Sequence, residues 1–584
     1  MKKQYQVRAL TFAGLLFFLS VLIVLRIIVI QTSKEAEQFR MRGDEFEGQF
    51  QTLFPQRGQI YDRNGHLLAG NKTVYEVGVT LSDMRNAKSI AQALQDVAGM
   101  DYQTTLNALT TDAPANRVYQ VLNQFVPVDQ VKRLKQLKLD YADQYAKLGD
   151  ASLAGLVFNP HTMRSYPENS LASNVLGYVT LNNHGYNGVE EKYNDLLAGE
   201  PITVWVPLDP NRADEMPKTP VGVDLILTID REIQSMVEGE LNKGLTDTGS
   251  AAGTIVVMNP QTGEILAMAS TPQMDLNDFL NAGSIYKSAG EFNRAVSTQY
   301  EPGSVFKILT MAAAIDSGLV TPQTTYLDTG FYEIGGAYVY NWDNGAWGPQ
   351  DMIGCLEHSL NVCMARLADL MGEKTFYTYM QRFGIGQPTG IDLAAEFRGR
   401  LKIPGDDDWY KVDLGTNSFG QGVAVSPIQM MTAASALAND GKMVAPHVLY
   451  GMVSNGIQNN TAIHTIGSPI SAQTARTVSD MMATAMQDGK SVANVDGYRI
   501  AGKTGTAQIP GPNGQYDPKL TNATFIGWGP VDDPKFMVYV WLERPQKSDW
   551  ASYVASPIFH SLVEKLVVLM GIPKDEFRQK LIGQ

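Results

Sequence analysis

Glu301 to Asp316 reads EPGSVFKILTMAAAID, a Pro-Gly turn followed by an apolar run that a single lysine interrupts. The spacing predicts a helix opening at Ser304, and because apolar residues fall on nearly every face, that helix is a buried one. Ser304 and Lys307 stand three positions apart on one face and within contact range, so the amine can take the hydroxyl proton and turn the serine into a nucleophile. Burial disfavours an ammonium, so Lys307 is expected to titrate below an ordinary lysine, as a base near neutral pH needs. The pair alone decides little. A second Ser-x-x-Lys string, SIYK from Ser284 to Lys287, is followed by no helix-long apolar run and reads as a surface segment.

Outward from this helix the pattern defines the fold class. A strand DLILTID begins near Val223 and leads into a helix from about Arg231. GTIVVMNP and EILAMAS then flank Gln261-Thr262-Gly263 as a buried hairpin. Helical runs occupy much of 304 to 440. AGKTGTAQI, TNATFIGWGPV and KFMVYVWLE read as three apolar strands before a last helix from about Pro557. Early strands, central helices and late strands predict one α+β domain over 223–584, its sheet closed by both ends.

Two further strings belong with Ser304. Ser359-Leu360-Asn361 is the only Ser-x-Asn in the chain, and Lys503-Thr504-Gly505-Thr506 contains the only Lys-Thr-Gly. Ser359 offers a hydroxyl to relay a proton to a leaving amine, and Asn361 an amide to hold both Lys307 and a peptide carbonyl. Lys503 adds positive charge, and Thr504 and Thr506 add hydroxyls for a substrate carboxylate. Gly505 lets backbone approach substrate closely, and the N–H groups of Ser304 and Thr506 are candidates for an oxyanion hole. Taken singly, the first string is an ordinary capping or surface triplet and the second an ordinary turn. Their joint presence after Ser304 is the signal.

The 584 residues, 44% hydrophobic and 18% charged, suit two or three globular domains. A net charge of −13 and a pI near 5.1 exclude a nucleic-acid partner, which needs clustered basic faces. Ala9 to Leu25 is uncharged, and the run through Ile30 reaches spanning length, so 9–30 is expected to be a transmembrane anchor. Lys2, Lys3 and Arg8 precede it and no small-x-small cleavage site follows, which places residues 1–8 in the cytoplasm and the remainder outside; a cleaved signal peptide is the competing reading. Arg26 either snorkels to the outer interface or meets a partner's helices.

Residues 34 to 51 are polar and helix-prone. A strand-like block, RGQIYDRNGHLLA, follows, and its Asn64-Gly65 is expected to supply the positive φ angles of a hairpin turn. Residues 82 to 148 read as helical, and 31–222 carry no motif for a chemistry of their own, so a pedestal or docking role is expected. The seven histidines form no ligand-spaced cluster and no metal motif is found; Asp328, Asp343 and Cys355 are the one trio with the chemistry to converge on zinc. Cys355 and Cys363, if carried on one helix, stand about 12 Å apart, too far for a disulfide.

SVFK, SLN and KTGT resemble the three motifs of penicillin-binding proteins and serine β-lactamases. RGQIYDRNG, RSYPENSLASNVLGYV, NGVEEKYNDLLAG, TIDREIQ, GEILAMAS and FGQGVAVSPIQM extend the likeness, from the anchor to about residue 570, to class B high-molecular-mass penicillin-binding proteins, the monofunctional peptidoglycan D,D-transpeptidases. The resemblance implies an antiparallel sheet with a helical subdomain on an elongated α+β pedestal of the dimerisation type. It implies attack of Ser304 on the penultimate D-Ala of a stem peptide, acylation of Ser304 by β-lactams, no cofactor, and docking on a polytopic lipid II glycan polymerase in the cytoplasmic membrane. Lys307 is then the base, Ser359, Asn361 and Lys503 the proton relay, and Thr504 and Thr506 the carboxylate site.

A class A β-lactamase needs Glu-x-x-Leu-Asn after its Ser-x-Asn to activate the deacylating water. EGELN, Glu238 to Asn242, is the one copy and precedes Ser304, so a long-lived acyl-enzyme is expected. A D,D-carboxypeptidase and a non-catalytic β-lactam-binding scaffold or sensor are the alternatives. YEPGSVFK and the SLN triplet, together with the short C-terminus, look more like the septal than the elongation type.

Overall fold

The computed structural model describes residues 2–32, 48–53, 55–111, 118–143, 151–207, 220–510 and 516–582. The chain forms two compact units, one of residues 1–56 with 199–222 and the other of 57–198 with 223–584.

The first unit contains the helix Lys2–Thr32, whose segment Leu10–Thr32 has a mean hydropathy of 2.8 and is long and apolar enough to cross a membrane. It also contains a two-stranded antiparallel sheet pairing Gly48–Leu53 with Ile202–Pro207. The helix-prone reading of 34–51 therefore fails at its end, where a β-rich partner strand, ITVWVP, captures the chain. The rest of that stretch, up to residue 47, lies outside the described residues.

In the second unit, a seven-stranded sheet runs Ile457–Asn460, Leu449–Ser454, Asp224–Leu227, Ile60–Tyr61, Leu67–Thr80, Tyr119–Pro127, with Leu156–Ser165 also on Leu67–Thr80. The helical reading of 82–148 holds for Ala87–Ala98, Tyr102–Thr110 and Val128–Asp143 but not for Tyr119–Pro127, a strand. Its Tyr, Val and Phe residues favour a pleated surface once the long strand is there to pair with. The DRNG hairpin forms, but only Gly65 takes a positive φ (+87°). The Asp62 carboxylate accepts the N–H groups of Asn64 and His66, so side-chain bonds supply what a second left-handed residue would.

Three of the motifs meet in one buried knot. Glu190 accepts from Arg57 Nε and from Arg164 Nε, both at 2.7 Å, and from Tyr166 Oη at 3.3 Å. Asp224–Leu227, expected in the catalytic sheet, instead pairs parallel to Ile60–Tyr61 and antiparallel to 449–453.

The five-stranded sheet is antiparallel, in the order Ile265–Ser270, Ala252–Met258, Phe536–Glu543, Tyr516–Gly529, Ala501–Pro510. Its central strand comes from the far end of the chain, as the early-late strand pattern predicts. Side chains alternate between two buried faces. Ile255, Val257 and Val538 pack with Phe559 and Leu562 of the C-terminal helix Ser556–Leu569. Val256, Met258 and Tyr539 face the cluster that holds Phe306 and Ile308. This second face carries the site.

Candidate active site

Ser304 lies on a 3-10 turn, Gly303–Phe306, that runs straight into the helix Lys307–Asp316. The expected helix start is therefore one tighter turn. Gly303 has φ +59° and its N–H donates to Gly420 O at 3.0 Å. A Cβ on Gly420 would stand 2.3 Å from Gly303 O. Glu301 accepts from Gly422 N–H and from Tyr516 Oη, both at 2.9 Å. The FGQG loop is thus the seat of the serine turn.

The helix start leaves Lys307 fully buried. Its Nζ donates to Ser359 O at 2.5 Å and to Ser359 Oγ at 3.2 Å. Lys503, also buried, donates to the same Oγ at 2.9 Å and to Thr504 O at 3.1 Å. Burial, and after it the neighbouring Lys503, pushes Lys307 well below an ordinary lysine, while burial brings Lys503 down to about 7. Two amines therefore converge on one hydroxyl, and both are held below the ordinary lysine range.

Ser359 takes φ +55° between the helices Met352–Glu357 and Asn361–Arg382. That reversal corrects the reading of the cysteines. The 12 Å separation assumed one continuous helix, but the chain folds back at Ser359, Cys355 and Cys363 come to a Cα–Cα distance of 6.1 Å, and they form a disulfide. Cys355 is then no zinc ligand. Asp328 is taken up by Asn341 Nδ2 (2.8 Å) and Trp347 N–H (2.9 Å), and no metal-holding cluster occurs among the described residues. Asn361 is also placed differently from expectation: its Nδ2 donates to Tyr340 O at 3.0 Å, and Lys307 goes to Ser359 instead.

Lys503 to Thr506 lies on Ala501–Pro510, an edge strand that leaves alternate backbone N–H groups unpaired for a ligand. Gly505 also has a purpose within the fold. A Cβ there would meet Thr524 Oγ1 at 2.3 Å and both Pro302 O and Val305 Cγ1 at 3.0 Å, so the glycine lets the strand lie against the serine turn. Thr506 Oγ1 accepts from Ala551 N–H at 3.2 Å.

Ser304, Ser359, Asn361, Thr504 and Thr506 line one cleft of about 760 Å³, with Lys307 and Lys503 buried behind it. The decoys are elsewhere. Ser284 Oγ donates to Asn281 O on a short exposed helix, and Glu238 accepts from Ala172 N–H and Gln234 Nε2. Sequence reasoning gave no role to Glu301, to Gly420 or to the indoles of Trp342 and Trp550 in the cleft wall. Glu301 and Gly420 stood inside quoted motifs, while the tryptophans carry no spacing signal.

Two buried lysines that share one hydroxyl behind a turn-borne serine are the arrangement of a serine acyl-transferase. Family comparison gives the same class: residues 253–564 match the penicillin-binding protein transpeptidase domain and 52–211 the penicillin-binding protein dimerisation domain. The chain is 31% identical to stage V sporulation protein D of Bacillus subtilis, over 89% of this chain and 79% of that protein. It is 28% identical to the peptidoglycan D,D-transpeptidase FtsI of Escherichia coli, over 91% and 87%. The crystal structure of penicillin-binding protein 3 of Mycobacterium tuberculosis complexed with aztreonam superposes with a TM-score of 0.68 at 26% identity, over 90% of this chain and 98% of that one. This chain belongs to the class B penicillin-binding protein family, in which a transpeptidase domain follows a dimerisation-type domain.

Proposed function

We propose that the chain is a peptidoglycan D,D-transpeptidase that works through an acyl-enzyme on Ser304. Ser304 Oγ attacks the penultimate D-Ala carbonyl of a stem peptide as neutral Lys307 takes its proton. The N–H groups of Ser304 and Thr506 hold the oxyanion. The proton passes by way of Ser359 to the amine of the terminal D-Ala, which leaves. An amine of a neighbouring stem then attacks the ester, yielding the cross-link amide and restoring the Ser304 hydroxyl. Lys503, cationic below about pH 7, with Thr504 and Thr506, receives the substrate carboxylate. The carrying observation is the convergence of Lys307 and Lys503 on Ser359 Oγ directly behind the cleft that exposes Ser304.

A β-lactam presents the same carbonyl and carboxylate and acylates the same oxygen. Intact-mass analysis of the full-length protein with penicillin tests this: a stable one-equivalent adduct is expected, and its persistence in Ser304→Ala would overturn the assignment. Rapid turnover of the drug would overturn the long-lived acyl-enzyme.

The N-terminal helix, preceded by Lys2, Lys3 and Arg8, supports a single-pass anchor in the cytoplasmic membrane with the catalytic region outside. The Cys355–Cys363 disulfide supports that side too, since such bonds persist in oxidising compartments. On this reading 1–8 is cytoplasmic, 9–30 the anchor, 31–222 the pedestal and 223–584 the transpeptidase domain, and the anchor and pedestal dock a lipid II glycan polymerase. Septal division is favoured over elongation by YEPGSVFK and the SLN triplet. A fluorescent fusion confined to midcell is the expected result, and a lateral-wall pattern sinks it.

A further inference from the structure

The cleft has an aromatic rim that the donor half of the reaction does not use. Trp342 and Trp550 stand edge to face, ring centroids 4.9 Å apart, with 47% and 43% of their surfaces exposed. They come from opposite walls. Trp342 Nε1 donates to His358 O at 3.0 Å, one residue before Ser359. Trp550 directly precedes Ala551, whose N–H donates to Thr506 Oγ1. Each indole is thus tied by a neighbouring bond to one of the two strings that flank Ser304, and the pair spans the cleft between them.

The charge at this rim is opposite to that at the carboxylate site. Asp549 adjoins Trp550, is exposed, lines the same cleft, and makes no ion pair or hydrogen bond among the described residues. Glu357 lines the cleft as well, 4.0 Å from His358 Nδ1. Carboxylates here repel the donor's terminal carboxylate, which Lys503, Thr504 and Thr506 attract. Aromatic faces beside a carboxylate favour a cation. The only other reactant in the transfer brings an ammonium.

We propose that Trp342, Trp550 and Asp549 form the acceptor subsite, which takes the ammonium-terminated side chain of the acceptor stem's diamino acid. This rests on the acyl-enzyme reading above. The held ammonium first gives one proton to Lys307. The freed amine attacks the ester carbonyl, the bond from carbonyl carbon to Ser304 Oγ breaks, a second proton passes from the attacking nitrogen to Ser304 Oγ as the amide forms, and the first is released from Lys307 to solvent.

The test uses the full-length protein in detergent, a D-Ala-based acyl thioester as donor, and Nα-acetyl-lysine amide or its uncharged isostere Nα-acetyl-norleucine amide as acceptor. Aminolysis relative to hydrolysis is measured by product chromatography, a ratio in which any loss of acylation cancels. The native protein should show a ratio that rises and saturates with the lysine derivative and does not respond to the isostere. Asp549→Asn and Trp342→Ala should each lower it about tenfold, with Trp342→Phe recovering most of the loss. Unchanged ratios in Asp549→Asn and Trp342→Ala overturn the subsite, as does an acylated native enzyme that shows no saturable aminolysis. Failure of the native enzyme to acylate at all would instead overturn the acyl-enzyme reading.

Discussion

Two buried clusters in this chain each gather two basic side chains, and they resolve the charge in opposite ways. In the pedestal, Arg57 and Arg164 share Glu190, with carbonyls of Gly58 and Asn183 taking further guanidinium N–H groups. Burial, followed by the Glu190 charge, pushes the Tyr166 phenol well up, so it stays a neutral donor to Glu190. Behind the cleft, Lys307 and Lys503 share only a hydroxyl and carbonyls, and neither has an ion pair among the described residues. The structural cluster meets its positive charge with a carboxylate and carbonyls inside the fold. The cluster behind the cleft has no carboxylate among the described residues, and burial lowers both amines; on the proposed mechanism one is the base and the other receives the substrate carboxylate.

The comparison breaks most sharply at Lys307. Lys307→Met should lower acylation by fluorescent penicillin about a thousandfold or more, while the thermal midpoint holds or rises because an uncompensated amine has left the core. A fall in both would mean that the lysine is structural. Glu190→Gln should do the reverse. Stranding two buried guanidinium groups costs about 3–5 kcal/mol of stability in chemical denaturation, with the acylation rate of the remaining folded protein little changed.

The two lysines can also be separated by pH. Lys503 is cationic below about 7 and neutral above it, whereas burial and the neighbouring Lys503 hold Lys307 well below an ordinary lysine. Acylation by a carboxylate-bearing β-lactam should therefore fall by up to tenfold per unit above pH ~7. Lys503→Arg, which remains cationic, should flatten that limb; a limb unmoved by this substitution would assign it elsewhere. A smaller loss of stability than at Glu190 is expected at the disulfide. Replacing Cys355 and Cys363 together by serine should cost about 2–3 kcal/mol for so short a loop, read by denaturant titration under non-reducing conditions.

Much of the site was legible in sequence because its parts are local strings. The turn before Ser304, the buried run after it and the edge strand with Lys503 each follow from a few adjacent residues. What escaped was where those strings touch. Nothing near Ser359 announces a left-handed residue, so the two cysteines were laid along a helix that does not exist. Gly505 was assigned to substrate because its actual neighbours, Pro302 and Val305, lie some 200 positions away. Asp224–Leu227 has a strand's composition, but composition cannot tell which of two sheets will take it. The long-range pairing decided, as it did for Tyr119–Pro127.

The central position of Phe536–Glu543 has a consequence for the timing of biosynthesis. This strand joins Ala252–Met258 to Tyr516–Gly529 and, through it, to the Lys503 strand. A ribosome must have made nearly the whole chain before the two sides of the cleft belong to one sheet. Until then Ser304 and Lys307 lack the strand that bears Lys503. A chain that stops before Phe536 therefore lacks the strand that ties the Lys503 edge to the rest of its sheet.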